Sequence, residues 1–386
     1  MGRTTVIIGG GAIGSATAYF LASMQRAQDR VIVIERDPSY QHASSSLSAS
    51  SIRQQFSTPL SVQLSQFGYE FMAACFQDGR AGGAVGLESR GYLFLADPAL
   101  EAHLRTRTAK VRAMGGHLAE MNQQQLQAHY PWMQCDDLSY GVIGTRYEGW
   151  FDGYRLQQLF RCQARALGVQ YLSLEAVGFD LRGGRVLRVQ LSDGSSLKAD
   201  AVVNCAGPWS ASIATMAGLE IPVRARRRTV FIVSCPQQFA HFPILIDPSG
   251  VFIRPEQEQF LCIVSPPPAQ DFDHLPLEPD LGLFESHIWP VLAARVPAFE
   301  ALRVERAWAG YYEYNTADQN GLVGQMGPEN FFLATGFSGH GLQHSAGVGR
   351  GMAELLHYGH YKSLDLSLLS PDRIAKQEWI VEEAVY

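Results

Sequence analysis

Thr5-Val6-Ile7-Ile8-Gly9-Gly10-Gly11-Ala12-Ile13-Gly14 opens the stretch that decides the fold of this 386-residue chain. Its β-branched start predicts a strand, and its G-x-G-x-x-G end predicts a tight turn into a helix. Apolar side chains then recur with a helical period as far as Leu21. Val31-Ile32-Val33-Ile34 predicts a second strand, which ends on Glu35, 21 residues after Gly14. The stretch therefore predicts a strand–helix–strand unit.

Three glycines of the turn have roles that a residue with a side chain could not fill. Gly9 allows the tight turn, Gly11 lets the backbone approach a pyrophosphate, and Gly14 lets the helix pack closely on the strand. The helix N-terminus then offers unpaired N–H groups to phosphates. Glu35 has the spacing of an acid that accepts hydrogen bonds from a ribose hydroxyl. The pattern predicts dinucleotide binding, with a glycine-rich turn in an ordinary α/β protein as the alternative.

The composition indicates a globular protein with two cores, or one large core and an inserted domain. Apolar residues make up 46% of the chain and charged residues 18%, and the net charge is −6. This balance gives no indication of nucleic-acid binding. One basic cluster predicts a solvated strand edge, with an anion site as the alternative; it consists of Arg224, Arg226, Arg227 and Arg228.

The six cysteines are scattered without metal-like spacing. They predict buried free thiols in a reducing compartment, and no metal site. The apolar run at the N-terminus is interrupted by glycines and belongs to the strand–helix–strand unit rather than to a signal sequence. No stretch of about 20 apolar residues predicts a membrane-spanning helix. We therefore expect a soluble, cytoplasmic protein.

A serine-rich loop follows the second strand, with serines at 44, 45, 46, 48, 50 and 51. It leaves the C-terminal end of a nucleotide-binding strand, where ligands bind in open α/β sheets. Short hydroxyl side chains there can bond phosphates or a ribityl chain, although a flexible linker is the alternative. Two later segments predict further backbone contacts with a ligand. Residues 201–209 predict a buried strand that ends in Ala206-Gly207, and residues 331–344 predict a strand, a glycine-rich turn and a helix.

Three motifs together resemble the D-amino-acid oxidase/sarcosine oxidase (DAO) family of FAD-dependent oxidoreductases. Val6 to Glu35 matches the adenine-nucleotide fingerprint of that family, Val203 to Trp209 its "aGpW" strand, and Gly336 to Leu342 its "GfsGHG" flavin loop. Ile52 to Ser57 and Trp308 to Thr316 resemble the FAD-dependent oxidoreductase domain-containing branch in particular. Mitochondrial members of that branch are linked to complex I assembly, so a protein partner is conceivable. The resemblance runs nearly end to end.

The resemblance implies a mixed α/β (α+β) fold with a Rossmann-like FAD-binding domain and a second, mixed β-sheet substrate domain. The FAD-binding domain is expected to be discontinuous and to comprise residues 1–80, 150–218 and 318–386. The substrate-binding domain is expected to comprise residues 81–149 and 219–317.

The resemblance also implies noncovalent FAD, because Gly310 lies near the position at which sarcosine oxidases carry the flavin-bonding cysteine. The implied FAD contacts come from the first strand and its loops, from the middle of the chain and from the flavin loop. They are Gly9, Gly11, Ala12, Ile13, Gly14, Glu35, Arg36, Ser44, Ser45, Ser50, Ser51, Ile52, Val177, Cys205, Ala206, Gly207, Trp209, Gly310, Gly336, Gly339, His340, Gly341, Leu342 and Gln343.

The implied reaction transfers a hydride from the carbon beside an amine nitrogen to flavin N5, after which the imine hydrolyses. Oxygen or another acceptor then takes the electrons. Arg53 aligns with the arginine that grips the substrate carboxylate, and its alternative is a solvent-facing arginine or the partner of a structural acid. Tyr312 falls near an aromatic residue above the flavin, with core packing as the alternative. His340 is expected to stabilise negative charge on the reduced ring, assisted by the helix dipole.

Two lysines of the family are missing here. Gln343 stands in place of the second carboxylate-binding lysine, and Cys262 stands near the lysine that promotes reaction with oxygen. Arg254 is a candidate for the second cation, with an exposed strand arginine as the alternative. The leading hypothesis is oxidation of a small carboxylated amine or amino acid, such as an N-substituted glycine or a D-amino acid. An assembly or interaction flavoprotein and an NAD(P)-linked dehydrogenase are the rival hypotheses.

Overall fold

The computed structural model describes residues 2–24, 26–77 and 85–382, and this part of the chain forms 19 strands and nine α-helices. The strands are β1 (Thr4–Ile8), β2 (Arg30–Ile34), β3 (Ser51–Ile52), β4 (Tyr92–Ala96), β5 (Leu118–Asn122), β6 (Tyr140–Gly144), β7 (Gly149–Trp150), β8 (Gln170–Leu172), β9 (Ala176–Arg182), β10 (Arg185–Leu191), β11 (Ser196–Lys198), β12 (Ala201–Asn204), β13 (Val223–Ser234), β14 (Ile244–Ile246), β15 (Phe252–Glu256), β16 (Gln259–Ile263), β17 (Arg303–Asn315), β18 (Leu322–Gln325) and β19 (Phe331–Thr335). The helices are α1 (Ala12–Met24), α2 (Pro59–Gln77), α3 (Glu101–Ala113), α4 (Gln123–His129), α5 (Gly153–Ala166), α6 (Ser210–Met216), α7 (Trp289–Arg295), α8 (Gly341–Tyr358) and α9 (Asp372–Lys376).

A six-stranded sheet is built around β1, in the order β18-β19-β12-β1-β2-β8. Its strands run parallel except for β18, which is antiparallel to β19. Because both faces of this sheet are covered, the segments Val6–Ile8 of β1 and Val31–Ile34 of β2 are continuous runs of apolar β-branched residues rather than alternating ones. Val6 and Ile7 are fully buried. The strand–helix–strand prediction for the N-terminus is confirmed.

Helix α1 packs against β2 of this sheet and against helix α8, which itself contacts β18 and β19, and small residues allow the two helices to approach each other. A Cβ atom at Gly349 would lie 2.5 Å from the Cβ atom of Ala16. The C-terminal ends of β1 and β12 lie side by side, and the loops after β1, β2 and β12 leave the sheet at this edge. Ligands of open parallel sheets bind at such an edge.

The second large sheet has eight strands in the order β17-β13-β16-β15-β14-β4-β6-β5. All of its pairs are antiparallel except β14 with β4. One face packs on the segment that contains α7, through Phe231, Leu292 and Phe299. The mixed α/β fold with a parallel and a mixed sheet is confirmed, and a small meander of β9, β10 and β11 is attached to it.

The division into two domains remains a prediction, and its boundary at residues 80 and 81 lies outside the described residues. Within the described ranges, no helix is long and apolar enough to cross a membrane. All six cysteines are free, and Cys162 is the exposed one.

The arginine cluster does not form a solvated edge. Arg226 contacts Asp271 and Asp273, and the buried Arg228 forms two hydrogen bonds with Asp271, at 2.7 and 3.1 Å. A loop that follows β16 therefore lies along the edge of β13 and neutralises it. The expectation of a solvated edge was wrong because the acidic loop comes more than 40 residues later in the chain.

Candidate functional site

A cavity of about 650 Å³ opens at the C-terminal edge of the six-stranded sheet. Such a volume is typical of a pocket for a drug-sized or larger ligand. We call it the large cavity. Its walls come from the glycine turn after β1, the segment after β2, the end of β12, strand β17 and the start of α8.

The glycine turn has the backbone geometry that the sequence predicts. Gly9 has a φ of +96°, and a Cβ atom there would lie 2.4 Å from the carbonyl oxygen of Cys205. A Cβ atom at Gly14 would lie 1.9 Å from the carbonyl oxygen of Gly9, so Gly14 allows the helix to pack against the turn. At Gly11 the nearest atom would be Ser45 Oγ at 3.9 Å, so this position faces the open cavity.

Glu35 connects the glycine turn to the end of β2. Its Oε2 accepts a hydrogen bond from the N–H of Gly10 at 2.8 Å, and its Oε1 accepts one from the N–H of Asp37 at 2.9 Å. Burial raises the pKa of Glu35 above its ordinary value. Each carboxylate oxygen has a second lone pair, so Glu35 can still accept ribose hydroxyls in the cavity that it lines.

The serine-rich loop supplies buried hydroxyl groups to this part of the structure. The hydroxyls of Ser44, Ser45 and Ser46 are buried and lack a hydrogen-bond partner among the described residues. Ser44 and Ser45 line the large cavity. Buried hydroxyls normally have partners, so this loop fits a phosphate- or hydroxyl-rich ligand. The residues of the cavity therefore fit a dinucleotide cofactor such as FAD.

An aromatic and cationic pair forms another wall of the large cavity. The guanidinium of Arg36 lies 4.1 Å from the ring centroid of Trp209 and forms an ion pair with Glu175 at 3.3 Å. Cys205, Ala206 and Gly207, at the end of β12, line the cavity beside them. This wall presents flat surfaces and backbone groups to a ligand.

The flavin-loop segment closes the cavity. Gly339, Gly341 and Leu342 line it, and a Cβ atom at Gly339 would lie 2.6 Å from the ring of Tyr312. A Cβ atom at Gly310 would likewise lie 2.9 Å from the Cβ atom of Leu47. Both glycines therefore let the loops approach β17 closely.

Several predicted cofactor contacts do not project side chains into the large cavity. Val177 is 47% exposed, and its neighbour Ala176 lines the cavity instead. Ile52 is buried in the apolar core, and Ser50 Oγ is engaged with the N–H of Gly153 and the carbonyl of Ser48. These three residues can reach a cofactor only through their backbone or not at all, because register and packing set where a side chain points.

Two further predicted cofactor contacts, Gly14 and Gly336, shape the turns beside the cavity. Gly14 allows the helix to pack against the turn after β1. Gly336 has a φ of +78°, and its N–H donates to Glu313 Oε2 at 3.1 Å, so it shapes the turn.

A second space of about 60 Å³, the small chamber, shares part of its lining with the large cavity, including Tyr312, Gly339 and Leu342. Arg53 is 3% exposed and lines this chamber together with His340. The Nη1 group of Arg53 donates to the carbonyl of Gln55. Its Nη2 group lies 3.2 Å from His340 Nε2. Because arginine only donates, that imidazole nitrogen accepts, and the proton of a neutral His340 is then on Nδ1.

Other contacts hold Arg53 in place. Its guanidinium lies 4.0 Å from the ring centroid of Phe56, and its backbone N–H donates to Gln343 Oε1 at 2.9 Å. Burial, with the nearby charge of Arg53, lowers the pKa of His344 to about 3. His344 is therefore neutral at neutral pH. The chain thus brings together Arg53, His340, Tyr312 and Gln343 at the small chamber.

Arg254 is not part of this group. It is 3% exposed but lines neither space, and its Nε and Nη2 groups donate to the carbonyl of Ala49 at 3.1 and 2.9 Å. Its Nη1 group contacts Glu256 at 2.7 Å. Neither prediction for Arg254 is correct: it is neither a cation facing the chamber nor an exposed strand residue. It anchors the serine-rich loop, because that loop crosses β15 in the folded chain.

Glu313 lines the large cavity and was not singled out from the sequence. Its Oε2 accepts hydrogen bonds from Thr335 Oγ1 at 2.9 Å and from the N–H of Gly336. Burial raises its pKa to about 7. Glu148, buried beneath Gln54 and Gln55, has a pKa of about 7 for the same reason. An isolated acid inside an apolar motif is the sequence signal that could have indicated Glu313.

We expect Glu313→Gln to change how stability depends on pH. The folded-state pKa of about 7 lies above the ordinary 4.5, so the folded protein holds this proton more tightly than the unfolded chain. The stability contribution is complete below pH 4.5 and is lost as the pH rises through 7. The free energy of unfolding of the variant, relative to that of the original protein, should therefore increase by about 1.4 kcal/mol per pH unit between pH 5 and 7.

Denaturant titration of both apoproteins at several pH values measures this difference. Glu148 and His344 titrate equally in both proteins and cancel. If the difference between the two free energies of unfolding did not change with pH, Glu313 would be charged in the folded protein throughout this range.

The site can now be compared with known proteins. A family model described as "FAD dependent oxidoreductase" (DAO) matches residues 4–355. The chain is 37% identical to "FAD-dependent oxidoreductase domain-containing protein 1" of Xenopus laevis, over 98% of this chain and 84% of that protein.

Two solved structures have the same fold. An L-proline dehydrogenase from P. horikoshii superposes with a TM-score of 0.86 at 22% identity, over 98% of this chain and 99% of that one. A glycine oxidase from Geobacillus kaustophilus superposes with a TM-score of 0.81 at 22% identity, over 95% of this chain and 98% of that one.

Proposed function

We propose that this chain, which belongs to the DAO family of FAD-dependent oxidoreductases, oxidises the C–N bond of a small carboxylated amine or amino acid. The observation that carries the proposal is the position of Arg53. Its guanidinium is buried in a chamber of about 60 Å³ that adjoins the cofactor cavity. The planar fork of an arginine matches a carboxylate with two parallel hydrogen bonds.

Bound FAD would supply the hydride acceptor for oxidation of the carbon beside the amine nitrogen. The side chains of the protein bind and orient the substrate. Arg53 holds the carboxylate, while Phe56, Gln55 and His340 hold the guanidinium. Tyr312 forms a wall common to the chamber and the large cavity, so it limits where the substrate can lie.

The solved relatives support a small substrate. One is named as an L-proline dehydrogenase and another as a glycine oxidase, so this fold accommodates the oxidation of small amino acids. The volume of the small chamber agrees with such substrates. Family membership argues against the rival hypothesis of an NAD(P)-linked dehydrogenase.

A visible spectrum of the FAD-loaded protein under anaerobic conditions tests the proposal. We expect the flavin band to bleach when N-methylglycine, proline or a small D-amino acid is added, and not with the matching amines that lack a carboxylate. Admitting air then distinguishes an oxidase from a dehydrogenase by how fast the band returns. Equal bleaching by amines with and without a carboxylate would contradict the proposal.

A second candidate is a flavoprotein that acts as an assembly or interaction factor with little amine turnover. The position of two residues favours it. Gln343 directs its oxygen to the backbone of Arg53, and Cys262 lies in the core of the eight-stranded sheet. Neither side chain can carry a positive charge, so neither replaces the lysines that the family has. This candidate predicts a yellow protein that no carboxylated amine bleaches, together with a stable protein partner in a pull-down.

A further inference from the structure

The small chamber contains a pair of hydroxyl groups that the proposed reaction does not yet use. Ser51 Oγ and Tyr92 Oη lie 3.0 Å apart, and both residues line the chamber. Tyr92 is 5% exposed. Its ring stacks on Phe94 at a centroid distance of 5.6 Å and meets the ring of Phe252 edge-on at 5.9 Å. These contacts fix the direction of the Tyr92 hydroxyl.

This pair can donate a hydrogen bond to a ligand. Burial raises the pKa of Tyr92 above its ordinary value, although the charge of Arg53 nearby opposes the shift. The phenol is therefore protonated at neutral pH. Two hydroxyls hold two protons, and their mutual hydrogen bond uses one of them. The other proton remains for a group in the chamber.

A carboxylate in the chamber needs such a donor. Among the described residues that line this chamber, Arg53 is the one arginine or lysine. Its Nη1 group donates to Gln55, and its Nη2 group faces His340. Gln343 turns its oxygen towards the backbone of Arg53. A carboxylate accepts about four hydrogen bonds, so uncharged donors have to supply the hydrogen bonds that Arg53 does not.

We infer that the Ser51–Tyr92 hydroxyl pair is a specificity-determining part of the substrate site, where it donates to the carboxylate that Arg53 binds. This inference rests on the proposed function. The chamber volume of about 60 Å³ corresponds to roughly four to six water-sized probes. The chamber therefore suits the carboxylate and the one or two heavy atoms next to it, and the rest of a small amino acid extends towards the large cavity, which shares part of the chamber lining.

Acetate binding to the FAD-loaded protein tests this inference without any turnover. Acetate is small enough for the chamber, and its binding can be measured as a perturbation of the visible flavin spectrum. We expect the double variant Ser51→Ala/Tyr92→Phe to raise the Kd for acetate about 10-fold, the effect of one lost hydrogen bond to a charged group. Tyr92→Phe and Ser51→Ala should each raise it by a smaller factor, because the remaining hydroxyl keeps a proton but loses the neighbour that fixes its direction.

Tyr140→Phe is the matched control. Tyr140 is buried in the same sheet, and its hydroxyl lies 3.4 Å from Thr108 Oγ1, away from the chamber. Its acetate affinity should match that of the original protein. If Tyr92→Phe fails to hold FAD, the smaller change Ser51→Ala gives the same test.

The outcomes separate this inference from the proposed function. Unchanged acetate affinity in Tyr92→Phe and Ser51→Ala, with a loss in Arg53→Ala, would overturn the inference and leave the proposed function standing. A loss in the hydroxyl variants but not in Arg53→Ala would support the inference and contradict the role proposed for Arg53. If acetate does not bind the original protein at all, both the inference and the proposed function are contradicted.

Discussion

Arg53→Ala is expected to lower kcat/KM for every carboxylated amine substrate by about 1,000-fold. Two charge-assisted hydrogen bonds to the carboxylate are lost, each worth about 1.5–3 kcal/mol, and about 1.4 kcal/mol corresponds to a factor of ten. Anaerobic stopped-flow reduction of the flavin, with the substrate concentration varied, measures the change. Arg53→Lys should recover only part of the loss, because an ammonium cannot form the parallel pair of bonds.

Two controls accompany this prediction. Arg306→Ala removes an exposed arginine of β17, whose guanidinium lies 5.3 Å from the ring centroid of Trp308, and should leave the rate of flavin reduction unchanged. Amines without a carboxylate should reduce the flavin equally slowly in Arg53→Ala and in the original protein. If Arg53→Ala kept the full rate of flavin reduction with carboxylated amines, Arg53 would not bind the substrate carboxylate.

Gly11→Val is expected to abolish tight FAD binding while the chain still folds. A side chain at this position projects into the large cavity, where Ser45 Oγ, at 3.9 Å, would be the closest atom to its Cβ. The side chain therefore occupies the space in which the backbone has to approach a pyrophosphate. We expect the Kd for FAD to rise at least about 100-fold, because overpacking costs roughly 1–3 kcal/mol and phosphate contacts are lost as well.

Titration of the apoprotein with FAD, followed by flavin fluorescence, measures this Kd. The stability of the Gly11→Val apoprotein should fall by about 1 kcal/mol at most. Gly14→Ala is the contrasting variant, because its Cβ atom would lie 1.9 Å from the backbone oxygen of Gly9 and must destabilise the fold itself. Normal FAD affinity in Gly11→Val would mean that the turn after β1 does not hold the cofactor.

The three cofactor segments could be predicted from the sequence because their information is local. A glycine is needed wherever backbone has to approach backbone or a ligand, and the strand and helix periods lie in contiguous residues. Glycine spacing in the turn after β1 and in the flavin loop therefore indicated both the fold and the large cavity. The resemblance named Arg53 and His340 as site residues, and the structure places both at the small chamber.

Side-chain direction could not be predicted in this way. Arg254 points to the carbonyl of Ala49 and not to the chamber. Arg228 pairs with Asp271, which belongs to a later loop. Whether a residue at the edge of a strand faces a ligand, a loop or solvent depends on register and on which distant segment packs against it.

The sequence by itself determined the parallel sheet around β1, the glycine turn and the family of the chain. Only the tertiary structure decided what surrounds Arg53. Tyr92 comes from β4, Ser51 from β3 and His340 from the turn before α8, so these side chains meet only after the two large sheets have packed together. The contact between Arg53 and His340 joins residues 287 positions apart. No local pattern encodes such a contact, because it depends on how each element is oriented in the folded chain.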